Sequence, residues 1–181
     1  MGFKKVSAGF IILTLLLTGC GGKTSSFAEY ASIRKIDNAK ETVRYGMSRE
    51  DAEKVLGTGK EVQFGHNYSH GVKVLYREDK VVGIMFDQEA ADIYETTKGV
   101  KIGVSKSEIK EIYGDPPFSD GPYNLGYLFE PETQSFLGKD SLFHKTEEEM
   151  KRFIVVDFQF DKDDLAYRIS LMDQHMLQLG R

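Results

Sequence analysis

The chain has one cysteine, Cys20, no tryptophan, and only four prolines and four histidines among its 181 residues. One cysteine closes no intrachain disulfide, so the folded part must be held by its apolar core. No apolar run reaches the roughly 20 residues a membrane-spanning helix needs; the longest N-terminal run covers residues 6–17. An excess of basic charge is also missing, since the formal charge is −4. That balance argues against a nucleic-acid partner and against electrostatic binding to anionic lipid heads. No nucleophile motif, phosphate-binding loop or paired ligand cluster stands out, so the sequence points away from an enzyme and from any cofactor.

What is present is a repeated phrase. Residues 45–57 read YGMSREDAEKVLG and residues 102–114 read IGVSKSEIKEIYG. In the first copy Ser48 is an N-cap, Asp51 stands at the capping-box spacing, and Met47 with Ala52 forms a hydrophobic staple. Ala52, Val55 and Leu56 make a short apolar stripe, and Gly57 ends the helix. The second copy repeats each device with Ser105, Glu108, Val104 with Ile109, the stripe Ile109, Ile112 and Tyr113, and Gly114. Positions that would face water differ freely between the copies. This pattern predicts two copies of one structural unit.

Each helix is shorter than the roughly 12–15 residues an isolated helix requires, so each must lie on an apolar surface. Hairpins supply it. Residues 72–76 and 81–86 flank a polar REDK, and residues 153–160 and 165–172 flank a polar DKDD. Ile154, Val156, Phe158 and Phe160 alternate with Val155, Asp157 and Gln159, which predicts a strand with one apolar face. The expected fold class is α+β, with two tandem units, each a short helical segment packed on an antiparallel β-sheet.

The N-terminus has Lys4 and Lys5 ahead of the apolar run, a signal-peptide arrangement. It ends in LTGC at residues 17–20, which resembles the lipobox of bacterial lipoproteins. The resemblance implies cleavage before Cys20 and lipid attachment to it, and several acyl chains on one residue anchor stably. Loss of residues 1–19 removes two lysines and no acid, which takes the formal charge from −4 to −6. The expected organisation is a signal peptide over 1–19 and a lipidated tether with a leading helix over 20–42. A first unit then covers 43–98, and a second covers 99–181 with an insertion at 115–152.

The paired helix-and-hairpin pattern behind a lipobox resembles the β-lactamase-inhibitor-protein-like fold, shared by a secreted tandem-repeat inhibitor and by small outer-membrane assembly lipoproteins. The carrying residues are Gly46, Met47, Ser48, Val55, Leu56 and Gly57, then Gly103, Val104, Ser105, Ile112, Tyr113 and Gly114. The resemblance implies a non-catalytic protein that binds other proteins through a sheet surface and its loops. The chain departs from the inhibitor in having no tryptophan and no disulfide, so no binding residue is carried over.

Three stretches are candidate sites. In FGHNYSHG, residues 64–71, His66 and His70 would lie about 13 Å apart on a strand, too far for one metal. Gly65 and Gly71 instead predict a polar loop with an exposed Tyr68, usable for recognition. Asp161, Asp163 and Asp164 lack the glycine and glutamate of a calcium loop and read as a charged hairpin turn. The insertion carries Phe118, Tyr123, Tyr127, Phe129, Phe136 and Phe143 among its prolines, with a strand expected at 125–129 and a helix near 146–152 capped by Thr146. At least half of these aromatics should complete the second core, and the others would form a binding loop. The expected partner-binding residues are Tyr68, Phe118, Tyr123, Tyr127 and Phe136.

The expected role is a membrane-anchored extracytoplasmic lipoprotein, contacting the membrane by its lipid alone and binding an envelope or extracellular protein. A small-ligand carrier using the groove between the units is the alternative. Cys20→Ala is predicted to abolish lipid labelling and membrane retention; unchanged retention would refute the anchor.

Overall fold

The computed structural model describes residues 30–115 and 117–179. Cys20, the lipobox and the tether lie outside the described residues. The chain is an α+β protein with a mostly antiparallel sheet and, among the described residues, four α-helices. Strands β1 (Ser32–Lys35) and β2 (Thr42–Arg44) precede α1 (Arg49–Leu56). Then come β3 (Lys60–Val62), β4 (Gly65–Asn67), β5 (Val72–Arg77), β6 (Lys80–Asp87) and β7 (Tyr94–Thr96). Helix α2 (Lys106–Tyr113) is followed by β8 (Ser119–Gly121), β9 (Asn124–Glu130), β10 (Ser135–Leu137) and α3 (Glu147–Met150). The chain closes with β11 (Ile154–Phe160), β12 (Ala166–Asp173) and α4 (Gln174–Leu179).

The helix ends follow their signals. Ser48 accepts from the Asp51 amide, and Ser105 with Glu108 completes a reciprocal capping box. Gly57 and Gly114 follow at φ 84° and 81°, a region that costs other residues energy. The lead-in to each helix is bonded to its own hairpin in the same way. Gly46 N–H donates to Val81 O at 2.8 Å, Val81 N–H to Met47 O at 2.9 Å, and Arg49 N–H to Asp79 O at 2.9 Å. Gly103 donates to Ala166 O at 2.8 Å, Ala166 to Val104 O at 3.0 Å, and Lys106 to Asp164 O at 3.1 Å.

Nine strands form one sheet in the order β10-β9-β11-β12-β6-β5-β4-β3, with β8 also on β9. At its centre β6 and β12 pair antiparallel, with Gly83 opposite Met172 and Asp87 opposite Arg168. One face of the sheet is the core. Val74, Ile84, Phe86, Val156, Phe158, Ile169 and Leu171 pack there with Ala52 and Leu56 of α1 and Ile109 and Tyr113 of α2 in one continuous cluster. A small sheet of β2, β1 and β7 joins the same cluster through Ile33, Val43 and Tyr94. Tyr30 is helical, as expected for part of 27–42, and from Ser32 onward the segment is strand. Ile33 and Val43 are fully buried side by side, and β7 offers β1 a second strand to pair with.

Much of 115–152 also belongs to the sheet rather than to an insertion. Strand β9 pairs with β11 from Asn124 to Phe129, the position that β4 holds beside β5. Only β10, a short 3₁₀ turn at Lys139–Leu142 and α3 lie outside that pattern. The Thr146 cap is present, with Glu149 as its reciprocal partner.

The second sheet face is half covered. Helix α4 lays Met176 and Leu177 on Leu75, Val82 and Met172, and Leu177 also reaches Leu128, Phe153 and Val155. The start of α4 is held by the fully buried carboxylate of Asp173, which accepts from the Met176 amide at 2.8 Å. Arg77 at 3.0 Å and the Tyr45 hydroxyl at 3.0 Å satisfy its remaining lone pairs. A buried carboxylate without such partners would be strongly destabilising.

Several phenols are held protonated by the fold. Burial first, then the nearby Asp173 carboxylate, raises Tyr45 above the ordinary range, and burial pushes Tyr127 up to about 12. A raised folded-state value gives stability that is fully present below the unfolded value of about 10 and lost as pH rises through the folded one. Urea unfolding should therefore show stability falling above about pH 10, with the buried phenols ionising only on unfolding in a near-ultraviolet titration. Full ionisation of all tyrosines in the native protein near pH 10 would contradict this.

Candidate functional site

The five expected binding residues separate sharply. Tyr68 is corrected from exposed to buried: it is 7% exposed, and its hydroxyl shares a 2.6 Å hydrogen bond with that of Tyr76 and lies 3.4 Å from Glu53. Its ring occupies the space at Gly59, where an added Cβ would lie 2.6 Å from it. Tyr127 is also core, stacked on Tyr113 with ring centroids 5.0 Å apart. Phe136 is half-buried in an aromatic cluster, 4.9 Å from Tyr30 and 5.4 Å from Tyr127 between centroids. Phe118 is half-buried against Leu128, Phe153 and Val155. Tyr123 alone stands out from the surface, at 65% exposed.

The reason is strand register. Tyr127 pairs with Val156, whose side chain is in the core, so the aromatic follows it inward. Tyr68 donates its amide to Val72 O at the end of β4 and turns to the same side. Tyr123 lies at the tip of the β8–β9 hairpin, outside the paired register. Phe64 holds the matching tip between β3 and β4, at 58% exposed, and it was not singled out in the sequence. The signal was there: FGHNY (64–68) and YNLGY (123–127) each place one aromatic four residues before another. In both, the first is at the tip and the second in the core. Phe64 also holds φ at 61°, a left-handed conformation that strains a bulky residue and marks sites worth inspecting.

Among the described residues part of the second sheet face is uncovered, and Phe64, though not Tyr123, lines its groove. Its middle row runs Asn67, Lys73, Met85, Ser170, Asp157, Gly126, one residue from each of six neighbouring strands. Five strand spacings make this row about 24 Å long. A groove of about 690 Å³ follows it, lined by Phe64, Lys73, Leu75, Met85, Asn124, Asp157, Gln159, Arg168, Ser170, Met172, Met176 and Leu177. A second groove of about 430 Å³ shares Lys73, Met85 and Arg168 with the first and continues toward Asp87 and Glu89. Lys73 Nζ donates to Gln63 O at 3.3 Å, and the Arg168 guanidinium lies 5.8 Å from the centre of the Tyr167 ring. Neither makes an ion pair with a described residue.

A cluster of titratable groups lies on the other side of the sheet. Arg49 Nη1 is 3.3 Å from His66 Nε2, and Glu53, Tyr68 and Tyr76 are linked beside them. Burial raises both phenols, Tyr76 the more strongly, so both stay protonated at neutral pH. The cluster ties α1 to β4 and β5. His66 and His70 do not face one site, since His70 sits in the next turn at φ 59°. Asp161 accepts from the amides of Asp163 and Leu165, which makes DKDD a closed hairpin turn. Among the described residues no three His, Cys, Asp or Glu side chains converge as a metal ligand set, and no helix is long and apolar enough to cross a membrane.

Compared with models of known protein families, with curated proteins and with solved structures, the chain matches none.

The two aromatic classes predict opposite responses. Tyr127→Ala should cost about 3–5 kcal/mol in urea unfolding, because it empties a fully buried aromatic site. Phe64→Ala with Tyr123→Ala should change stability by no more than about 0.5 kcal/mol. Equal losses for both would show that the tips are structural.

Proposed function

We propose that the chain is a lipid-anchored extracytoplasmic protein of two tandem units that binds another protein, without catalysis, through the open sheet face between Phe64 and Tyr123. The observation that carries this reading is the open face itself. Among the described residues it spans six strands and is bordered by the exposed Phe64 at the tip of a short hairpin. Its Lys73, Asp157 and Arg168 side chains belong to none of the apolar clusters. A row of about 24 Å suits the ~800 Å² that one partner contributes to an ordinary protein interface. Exposed aromatics on preformed turns are good anchors, because little conformational freedom is lost on binding.

Duplication is supported by three pairs of positions that hold matching places after the two helix lead-ins. Arg49 and Lys106 open the two helices, Phe64 and Tyr123 hold the two tips, and Val81 and Ala166 lie in the two inner strands. The backbone bonds around them recur pair by pair. Lipid attachment at Cys20 rests on the resemblance of LTGC to a lipobox, and protein binding is also what the resemblance to the β-lactamase-inhibitor-protein-like fold implies. A small-ligand carrier is a second reading, favoured by a groove volume within the ~300–1,000 Å³ of ligand pockets. The length of the face weighs toward the protein partner.

The test is crosslinking in living cells with the tagged, full-length chain, followed by mass spectrometry. One stoichiometric protein should be captured, and Phe64→Ala with Tyr123→Ala should lose it while the chain stays membrane-bound and folded. Capture unaffected by the double variant would remove the open face from this account.

A further inference from the structure

The two halves differ beside the ends of their helices. We infer that the groove at the end of α1 is a second protein-binding site, which seats an aromatic or large aliphatic side chain of a partner segment and pairs a neighbouring Lys or Arg with Asp37 and Asp92. It shares no lining residue with the two grooves of the open face and does not depend on them.

Helix α1 ends in Val55 and Leu56 before Gly57, and α2 ends in Ile112 and Tyr113 before Gly114, with the two glycines at nearly equal backbone angles. Beside the end of α2 the chain fills the space itself. The Tyr30 and Phe136 rings lie 4.9 Å apart, and 6.3 and 6.1 Å from the Tyr113 ring, between centroids. Phe136 comes from β10, within the long connection of β9 to β11. The matching connection of β4 to β5 is only residues 68–71 and has no strand to lend. Beside the end of α1 there is instead a groove of about 400 Å³, walled by Ile36, Val55, Leu56, Ile93 and Tyr94 and reached by Ser69 and His70 of that short connection. Ile36 is 41% exposed and Tyr94 3%, so an open apolar wall stands over a buried ring. What fills the second half is a pair of side chains, which identifies the missing occupant of the first as a protein side chain.

The rim gives the sign. Besides Tyr94, the titratable groups that line the groove are Lys35, Asp37, His70 and Asp92. Lys35 is already matched by the Glu41 carboxylate, and Asp37 acts on it only as a weaker, more distant charge. With His70 neutral, as in the formal charge count, Asp37 and Asp92 are left without a counter-charge of their own. The Ile36 amide donates to Ile93 O at 2.9 Å, and each acid stands one residue beyond that bond, on neighbouring chain segments. Like charges placed across from one another on adjacent strands repel, so a cation brought between them is favoured. The chain as a whole is acidic, which steers a basic segment toward it. An apolar anchor in a pocket, with its charge held at a solvated rim, is the usual arrangement of a binding hot spot.

The experiment places the photoreactive amino acid p-benzoylphenylalanine at position 36 of the full-length chain in living cells. The expected adduct is a partner peptide with Lys or Arg within about three residues of the crosslinked site. Asp37→Lys with Asp92→Lys should cut its yield about tenfold or more, and Asp37→Glu with Asp92→Glu should retain it. Glu61→Lys with Glu111→Lys, two exposed acids that do not line the groove, should change the yield by less than about twofold. If the charge-reversed protein fails to melt cooperatively, Asp37→Asn with Asp92→Asn takes its place. An acidic crosslinked peptide, an adduct to a second copy of the chain, to a lipid or to a small molecule, or a yield indifferent to reversal at the rim would overturn the inference. So would an equal loss on reversal of Glu61 and Glu111. Protein adducts from a probe at position 64 with none from position 36 would overturn it and leave the proposed function standing. Adducts from position 36 alone would support it and remove the open face.

Discussion

The pairing of β6 with β12 is the constraint on which the molecule depends. Strand β6 is the inner edge of four sheet strands that follow α1, and β12 of five that follow α2. Alone, each would leave a row of unpaired backbone groups at the edge of a small sheet. Joined antiparallel, they make one twisted sheet and let both helices share one core. Gly83 sits at this junction because the space beside it is already taken. A Cβ there would lie 2.9 Å from Leu75 Cδ1 and 3.0 Å from Met172 Cβ.

That junction decides which surface is left over. The two helices and the small β2-β1-β7 sheet pack on one face, and the lead-in to each helix is bonded to the hairpin of its own half. Among the described residues, the opposite face receives α4, Tyr45, Phe118, Leu137 and the segment around Leu142. Its apolar row, Leu75, Met172, Val155 and Leu128, is thereby covered, and none of these elements covers the polar middle row. The buried Asp173, by capping α4 and binding Arg77 and Tyr45, fixes where the cover stops.

Local features were legible in the sequence. The Ser48 and Ser105 caps, the closing glycines, both hairpins, strand β9 and the Thr146 cap all follow from short-range chemistry that neighbouring residues satisfy among themselves. Features that need distant partners were not legible. Residues 32–35 are a strand because β2 and β7 lie on either side of them, and nothing near them in the chain announces that. The burial of the aromatics was not legible for a related reason. Whether an aromatic beside a turn points in or out depends on the last paired residue of the hairpin. Tyr68 and Tyr127 fall inside that limit, Phe64 and Tyr123 beyond it. Comparing FGHNY with YNLGY, rather than reading each stretch alone, separates them.

The central claim is that β6 and β12 join the strands that follow α1 and those that follow α2 into one cooperative sheet. Native-state hydrogen exchange tests it most directly. The account predicts that the amides of β5, β6, β11 and β12 share a single protection free energy, equal to that of global unfolding. Two separate values, one for β5 and β6 and another for β11 and β12, would contradict it and divide the molecule into independent units.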